Sequence, residues 1–489
     1  MCKRDRIMLI EPESVREIDA ACIQSGIPGF RLMTAAGLAV AASALRHFPG
    51  ARRFAVLAGP GNNGGDAYIA AGALRNAGAE IEVFQLPSRR PSTDDAARAL
   101  AECGVVAQSM NAFESTEGDI VIDGVFGAGL SRDVPSELAT LIAKIKLLRI
   151  PVLAVDLPSG IDGRTGQVLG AAFKADVTVT FMALKPGMLL LPGREHCGQV
   201  EIAEIGVPKR LIEAHRSTVH VNGPEIWHAY PHPRDASAHK YSRGALAVFS
   251  GGASHTGAAR LTANAGLKAG AGLVTIASPA EAMEVNATHL TAVMLRQIDH
   301  IDDLNGWLED KRLSTFVLGP GFGVGAKARD FVLALKDRKL VLDADGITSF
   351  RDDPSILFNA FATGEPHLIL TPHEGEFSRL FADIAGDARL SKVDKAIAAA
   401  RRANAAVIYK GSDTVIASAD GRAAINTNAP PSLATAGSGD VLAGICGALL
   451  AQGYPAYEAA CAAVWHHGDA ANRAGAGLTA ETLVERVRR

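Results

Sequence analysis

Cysteine is scarce in this chain and scattered where it occurs. The six cysteines, Cys2, Cys22, Cys103, Cys197, Cys446 and Cys461, include no pair at C-x-x-C spacing. That excludes the common zinc and dithiol signatures, and they read as buried thiols in a reducing cytoplasm. Long apolar runs are lacking too. The stretch from Ile7 to Ile10 is too short for a signal-peptide core, and no uninterrupted apolar run approaches the roughly 18 residues that suggest a membrane span, so a soluble, cytoplasmic protein is expected. Charge of one sign is equally absent. The 49 Lys plus Arg against 52 Asp plus Glu give a formal net charge of -3 without blocks of like charge. Neither nucleic acid nor a membrane is therefore an expected partner.

What is present is length. At 489 residues the chain exceeds the roughly 250 to 300 residues at which one core stops growing, so two domains are expected. Short apolar runs rich in β-branched residues alternate with Ala-rich stretches: Phe54 to Ala58, Ala67 to Ala77, Ile81 to Leu86, Asp94 to Cys103 and Ile120 to Asp123. The rhythm resumes at Ala245 to Ser250, Thr256 to Lys268, Leu273 to Ala277, Phe316 to Leu318, Leu340 to Leu342 and Leu368 to Leu370. Such alternation predicts two doubly wound α/β domains, the first a Rossmann-like three-layer sandwich. Between them the pattern breaks around Tyr230-Pro231-His232-Pro233, where proline disfavours helix and central strand. The expected division is 1–215, a linker over 216–238, and 239–489.

The first unit carries Gly59-Pro60-Gly61-Asn62-Asn63-Gly64-Gly65-Asp66 after a strand. The spacing matches a dinucleotide loop, which also needs an acidic residue at the end of the second strand. Here Glu80 and Glu82 lie at that strand's beginning and its end is Phe84-Gln85-Leu86, so the ordinary dinucleotide reading is set aside. Adjacent amides and a carboxylate suit a hard cation, or a carboxamide and ribose. Two further strand ends supply oxygens: Asp123, followed by Gly124 to Leu130, and Asp156 in Asp156-Leu157-Pro158-Ser159-Gly160-Ile161-Asp162. Taken singly, each motif could equally be a tight turn or a helix cap.

Together these residues, over Ile10 to Ile212, resemble the NAD(P)HX epimerase family. The resemblance implies substrate contacts at Asn62, Asn63, Gly64, Gly65 and Asp66, at Gly127, Ala128, Gly129, Leu130, Ser131, Arg132 and Asp133, and at Asp156, the candidate acid/base. It also implies potassium held by Asn63, Asp123 and Ser159. Thr34 and Ala67 stand where that family has Glu and Gly.

In the second unit Thr435-Ala436-Gly437-Ser438-Gly439-Asp440 opens an Ala-rich helix. Glycines there let backbone N–H groups approach a phosphate, and the helix dipole favours negative charge. An Asp in such a turn would repel phosphate unless it had chemical work, which is to accept the proton of an attacking hydroxyl. The plainer reading, an Asp cap behind a glycine turn, is weaker given the neighbouring motifs. Lys410 independently suits a nucleotide phosphate as a point charge. His373-Glu374 lacks the second histidine of H-E-x-x-H zinc binding, and His466-His467 has no ligand partner at metal spacing and reads as helix packing.

The Gly-Ser-Gly-Asp turn resembles the ribokinase-like superfamily. With His239-Lys240, Gly251-Gly252, Gly270 to Val274, Gly319 to Gly323, Asp343-Ala344-Asp345, Thr371 to Phe377 and Lys410 to Thr414, the resemblance narrows to its NAD(P)HX dehydratase branch. Implied are contacts of Ala258, Gly323, His373 and Asp440 with a hydrated nicotinamide nucleotide. ADP would be held by Lys410, Gly411, Ser412, Asp413, Thr414 and Gly439, with Mg²⁺ assisting. The expected function is repair of hydrated NADH and NADPH by a bifunctional epimerase and ADP-dependent dehydratase, with small-molecule substrates and a homo-oligomeric state. Two alternatives stay open: a ribokinase-like kinase of a vitamin precursor or sugar alcohol, and a first domain that is a non-catalytic nucleotide-binding module.

Overall fold

The computed structural model describes residues 9–86, 91–230 and 243–488. Cys2 and the His239-Lys240 motif lie outside them. The chain divides into two compact units between Val219 and His220, and both are α/β with mainly parallel sheets.

In the first unit, helices α1 (Pro12–Gln24) and α2 (Gly29–His47) precede strand β1 (Arg53–Ala58). Then come α3 (Asn62–Asn76), β2 (Glu80–Gln85), α4 (Asp94–Cys103), β3 (Ala107–Ser109), β4 (Asp119–Gly124), α5 (Ser136–Leu148), β5 (Val152–Val155), β6 (Val177–Phe181) and β7 (Gln199–Ala203). The strands form one sheet in the order β3-β2-β1-β4-β5-β6-β7, and every pairing is parallel. Both faces are covered, as a parallel sheet requires. Phe54, Val56 and Ala58 of β1 join the core against α1 to α4, and the alternate Ala55 and Leu57 join the core against α5. The order reverses between β1 and β4, which opens a crevice beyond their carboxyl ends.

The polar run Asn62 to Asp66, expected as a loop before a helix at Ala67, is itself the start of α3. Glycine makes this possible: a Cβ on Gly64 would stand 1.9 Å from the Gly59 carbonyl oxygen. Ala67 is fully buried and packs where Gly124 lacks a side chain, a Cβ there falling 2.4 Å from that of Ala67. Thr34 turns its hydroxyl back onto its own helix, donating to the Phe30 carbonyl at 2.7 Å.

The second sheet contains β8 (Val219–Val221), β9 (Ala245–Phe249), β10 (Leu273–Ser278), β11 (Met294–Gln297), β12 (Leu313–Leu318), β13 (Lys339–Leu342), β14 (Leu368–Leu370), β15 (Ala406–Tyr409), β16 (Val415–Ala417) and β17 (Ala423–Ile425). Their order is β11-β10-β9-β12-β13-β14-β15-β16-β17-β8. The pairings from β11 to β15 are parallel and the hairpins β15-β16-β17 antiparallel. Residues 219–221, within the stretch read as linker, are thus an edge strand of this sheet. Three residues carry too little periodicity to signal that from sequence. On one face Leu246 and Val248 pack on the helices Ser438–Ala451 and Ala456–Ala474. On the other, Phe249 packs against Phe316, Phe322 and Phe331.

Among the described residues no helix is long and apolar enough to cross a membrane. Cys22, Cys103, Cys197, Cys446 and Cys461 are buried and free.

One polar pair ties β1 to β4. Arg53 donates to both carboxylate oxygens of Asp119, at 2.9 and 2.6 Å, and to the Glu114 carbonyl at 2.7 Å. Removing one partner of a buried pair strands the other charge. Arg53→Met should therefore destabilise the protein by about 3 kcal/mol in urea denaturation, and Arg53→Met with Asp119→Leu should recover part of the loss.

Candidate functional site

Beyond the carboxyl ends of β1, β4 and β5 lies a cavity of about 640 Å³, lined by Asn62, Asn63, Asp66, Gly127 to Arg132 and Asp156. Three residues expected at this site do not line it. Gly64 closes the turn on Gly59, Gly65 lies against Met33 and Ala96, and Asp133 sits beside Gly170.

Asp156 follows β5 with φ 63°, in the left-handed region that costs most side chains roughly 1 to 2 kcal/mol. Its carboxylate is held on both oxygens. Oδ1 accepts from Lys185 Nζ at 2.6 Å and Thr180 Oγ1 at 3.1 Å, and Oδ2 accepts from the Ala128 N–H at 2.9 Å. Lys185, only 1% exposed, also reaches Thr180 Oγ1 at 2.7 Å and the Phe181 carbonyl at 3.2 Å. Burial pushes the Asp156 carboxyl up, but the Lys185 charge and its hydrogen bond outweigh this and hold it below the ordinary carboxylate range.

Asp66 has no such partner. Burial first, and then the charges of Asp156 and Asp19, push it well above the ordinary value. Asp19 is raised for similar reasons, burial and then Asp156. The cavity therefore joins a carboxylate kept ionised to carboxyls inclined to hold a proton.

Beneath the cavity Asp123, 0% exposed, accepts from Ser159 N at 2.7 Å, Ser159 Oγ at 2.5 Å and Val125 N at 3.3 Å. All are neutral donors, and burial lifts the carboxyl to about 6 against these hydrogen bonds. Asn63 Nδ2 is buried without a partner, and its Oδ1 and Asp156 Oδ2 both lie near Gly127. A buried carboxylate without a counter-charge beside hydroxyl and amide oxygens fits a potassium ion.

In the second unit Gly437, at φ 82°, caps the helix Ser438–Ala451, whose first turn holds Gly439 and Asp440. A Cβ on Gly439 would stand 3.6 Å from Lys410 Nζ and 3.7 Å from Asp343 Oδ2. Lys410, after β15, donates to Asp343 Oδ1, after β13, at 2.9 Å. Burial works against the lysine charge, but Asp343 and Glu376 hold it above its ordinary value. Burial lifts Asp440 to about 6, with Asp343 adding to the rise and Lys410 opposing it.

His373 caps the helix Glu374–Leu380. Its Nδ1 accepts from Gly375 N at 3.0 Å and Glu376 N at 3.3 Å, and Glu376 answers by accepting from His373 N at 2.9 Å. Its side chain is 55% exposed. Ala258 lies beside Gly321, and Gly323 N donates to Asp345 Oδ2 at 2.9 Å. In Lys410 to Thr414, Thr414 Oγ1 closes a turn on Gly411, and Asp413 pairs with Lys392 at 2.5 Å.

His467 does more than pack. Its Nε2 contacts the Ser438 carbonyl at 2.9 Å, bracing the glycine turn, and burial lowers its pKa to about 4, which keeps it neutral. Lys185 and Asp19 were not expected in the first site, and Asp343 stands in the dehydratase motif as a strand-end aspartate without an assigned role. The available signal was position: Lys185 follows β6 and Asp343 follows β13, both at strand ends facing the crevice.

The chain matches two family descriptions, "YjeF-related protein N-terminus" over residues 29–187 and "NAD(P)H-hydrate dehydratase" over 246–488. It is 34% identical over 480 residues, 95% of this chain and 92% of the relative, to a protein of Thermosynechococcus vestitus named "Bifunctional NAD(P)H-hydrate repair enzyme Nnr". A protein of Gloeobacter violaceus with the same name is 35% identical over 499 residues, 97% of this chain and 96% of the relative. Among solved structures, an ADP/ATP-dependent NAD(P)H-hydrate dehydratase from Bacillus subtilis, co-crystallised with ATP and Mg²⁺, is 22% identical. It covers 55% of this chain and 95% of its own, with a TM-score of 0.45. Fold and sites define a two-unit α/β enzyme. The chain belongs to the bifunctional NAD(P)H-hydrate repair enzyme family.

Because Lys185 alone supplies a cationic hydrogen bond to Asp156 among the described residues, Lys185→Met should raise the Asp156 carboxyl above its ordinary value near 3.9. A ¹³C carboxyl titration by NMR checks it; an unmoved resonance would show that Lys185 does not hold that charge.

Proposed function

We propose that the second unit dehydrates the hydrated nicotinamide ring of NADHX and NADPHX at the expense of ADP, and that the first interconverts the two epimers of the hydrate. The observation that carries the reading is Asp440, half-ringed by Gly437 and Gly439 at a helix start and linked in charge to Asp343 and Lys410.

In the dehydration, Asp440 takes the proton of the hydroxyl on ring carbon 6 as that oxygen attacks the β-phosphorus of ADP. The bond to the bridging oxygen breaks and AMP leaves. Phosphate then departs with the electrons of its bond to carbon 6, carbon 5 loses a proton, and the ring double bond returns. The N–H groups at the helix start and Lys410 stabilise charge on the moving phosphoryl group.

Among the described residues no group of three or more His, Cys, Asp or Glu side chains could hold a metal ion. Magnesium fits here as an ion brought with the nucleotide phosphates, whose charge it would neutralise. Lys410 to Thr414 and Gly439 would hold ADP, and Ala258, Gly323 and His373 would contact the hydrated nucleotide.

In the first unit carbon 6 carries both the hydroxyl and the ring nitrogen. Asp156 taking the hydroxyl proton lets the carbon–nitrogen bond open to an aldehyde, and reclosure on the other face returns the proton and inverts the centre. Asn63, Asp123 and Ser159 would hold potassium, which supplies the positive charge that buried Asp123 lacks. The scattered, buried thiols of Cys22, Cys103, Cys197, Cys446 and Cys461 support a reducing, cytoplasmic setting.

Mixed epimers of hydrated NADH with ADP, followed by recovery of dihydronicotinamide absorbance, provide the test. Asp440→Asn should lower recovery about 10² to 10⁴-fold for either epimer, whereas Asp156→Asn should spare one epimer and strand the other. No recovery with ADP or ATP would exclude the dehydratase reading. A base near 6 must be ionised to act, so kcat/KM for dehydration should be flat above about pH 7 and fall about tenfold per pH unit below about 6. A flat acid limb down to pH 5 would remove Asp440 from that role.

A further inference from the structure

The first unit's cavity holds a charged group that no part of the preceding reading uses. Helix α1 contributes Pro12, Val15, Arg16, Asp19 and Ile23 to its lining, positions spaced as one face of a helix. Arg16 is on that inward face. Its Nη2 stands 3.2 Å from where a Cβ of Gly129 would be, so the guanidinium rests on the backbone of the glycine loop after β4. Residue 129, having no side chain, leaves it room.

No hydrogen bond or ion pair engages Arg16 among the described residues. Asp19, one turn further along the same helix face, also lines the cavity without bonding Arg16, and the two deeper carboxylates are otherwise disposed. Asp156 is taken by Lys185, and Asp66 is buried where its charged form is disfavoured. Arg132, three residues after Gly129, also lines the cavity and likewise has no ion pair among the described residues. An arginine fork left free on a cavity wall suits an anion with paired oxygens, above all phosphate. The family description that matches the first unit begins at Gly29, after Arg16.

The geometry points to Arg16 as a specificity-determining residue that, with Arg132, grips the diphosphate of a dinucleotide lying across the Gly127–Gly129 loop. The hydrated ring then reaches inward to Asp156. The inference rests on the epimerase reading for its substrate, while its chemistry is that of a diphosphate site. Charge is zoned along the cavity: a lysine-bound carboxylate at the inner end, guanidinium groups beside the loop. Asp19 on α1 and Asp95 on α4 also line the cavity and are the acidic groups that oppose the guanidinium charge.

The full chain with Arg16→Ala and Arg16→Lys tests this. Two substrates are compared, hydrated NADH and the hydrated reduced riboside, which has the ring but no phosphate, with the epimers separated chromatographically. Arg16→Ala should raise KM for hydrated NADH about tenfold at nearly unchanged kcat, with Arg16→Lys between the two. KM for the riboside should not move. The KM effect should shrink as salt is raised, because exposed charges are screened within about 10 Å at 0.1 M. An unchanged KM for hydrated NADH, or an equal rise for the riboside, overturns the inference.

Calorimetric titration with inorganic pyrophosphate separates the two readings. If the wild type interconverts no epimers yet loses a pyrophosphate site in Arg16→Ala, the epimerase reading fails and the diphosphate site stands. If pyrophosphate binding is the same in both proteins, the diphosphate site fails whatever the epimerase does. Equal thermal midpoints for wild type and variant confirm that folding is not the cause.

Discussion

A carboxylate taken out of water needs a compensating charge or a proton, and both units are arranged around that requirement. Each places an Asp where a parallel strand ends, with a lysine from a later strand end brought against it. In the first unit the pair is Asp156 and Lys185 at 2.6 Å, and in the second it is Asp343 and Lys410 at 2.9 Å. Neither lysine is near its partner in sequence. The parallel sheet brings them together because it delivers every strand's carboxyl end to the same edge.

The two pairs are used differently. In the first unit the lysine bonds directly to Asp156, so the ionised form is secured and the unpaired Asp66 and Asp19 rise instead. In the second the lysine bonds to Asp343, and the candidate base Asp440 stands one step away, lifted by burial and by Asp343 and only partly lowered by Lys410. A carboxyl near 6 is mostly ionised at neutral pH yet basic enough to accept a hydroxyl proton. Both carboxylates are offered as bases, the first kept ionised by direct contact with a lysine and the second tuned to about 6.

Much of this was legible in the sequence. The β/α rhythm gave both sheets, because strands buried on two faces read as short apolar runs. The glycine turns stood out because only glycine permits the close approach of Gly64 to Gly59, and because glycine most readily takes the positive φ of Gly437. Helix starts were harder. Asn62 to Asp66 has the composition of a loop, and tertiary packing rather than propensity makes it helical.

Lys185, Asp19 and Arg16 were not legible as site residues. A lysine after a strand and an arginine on an amphipathic helix ordinarily face solvent, and only the fold shows that Lys185 is buried and that Asp19 and Arg16 line the cavity. The edge strand at 219–221 was hidden by its brevity, and the bracing of Ser438 by His467 by a separation of 29 residues.

The left-handed backbone at Asp156 bears on how that position tolerates change. Glycine, asparagine and aspartate enter that region most readily, so a saturation library there would sort by backbone shape before it sorted by acidity. Asparagine keeps the shape and loses the charge, glycine keeps the shape and loses the side chain, and glutamate keeps the charge while straining the turn. The four residues form a small grid in which conformation and chemistry vary separately at a single site.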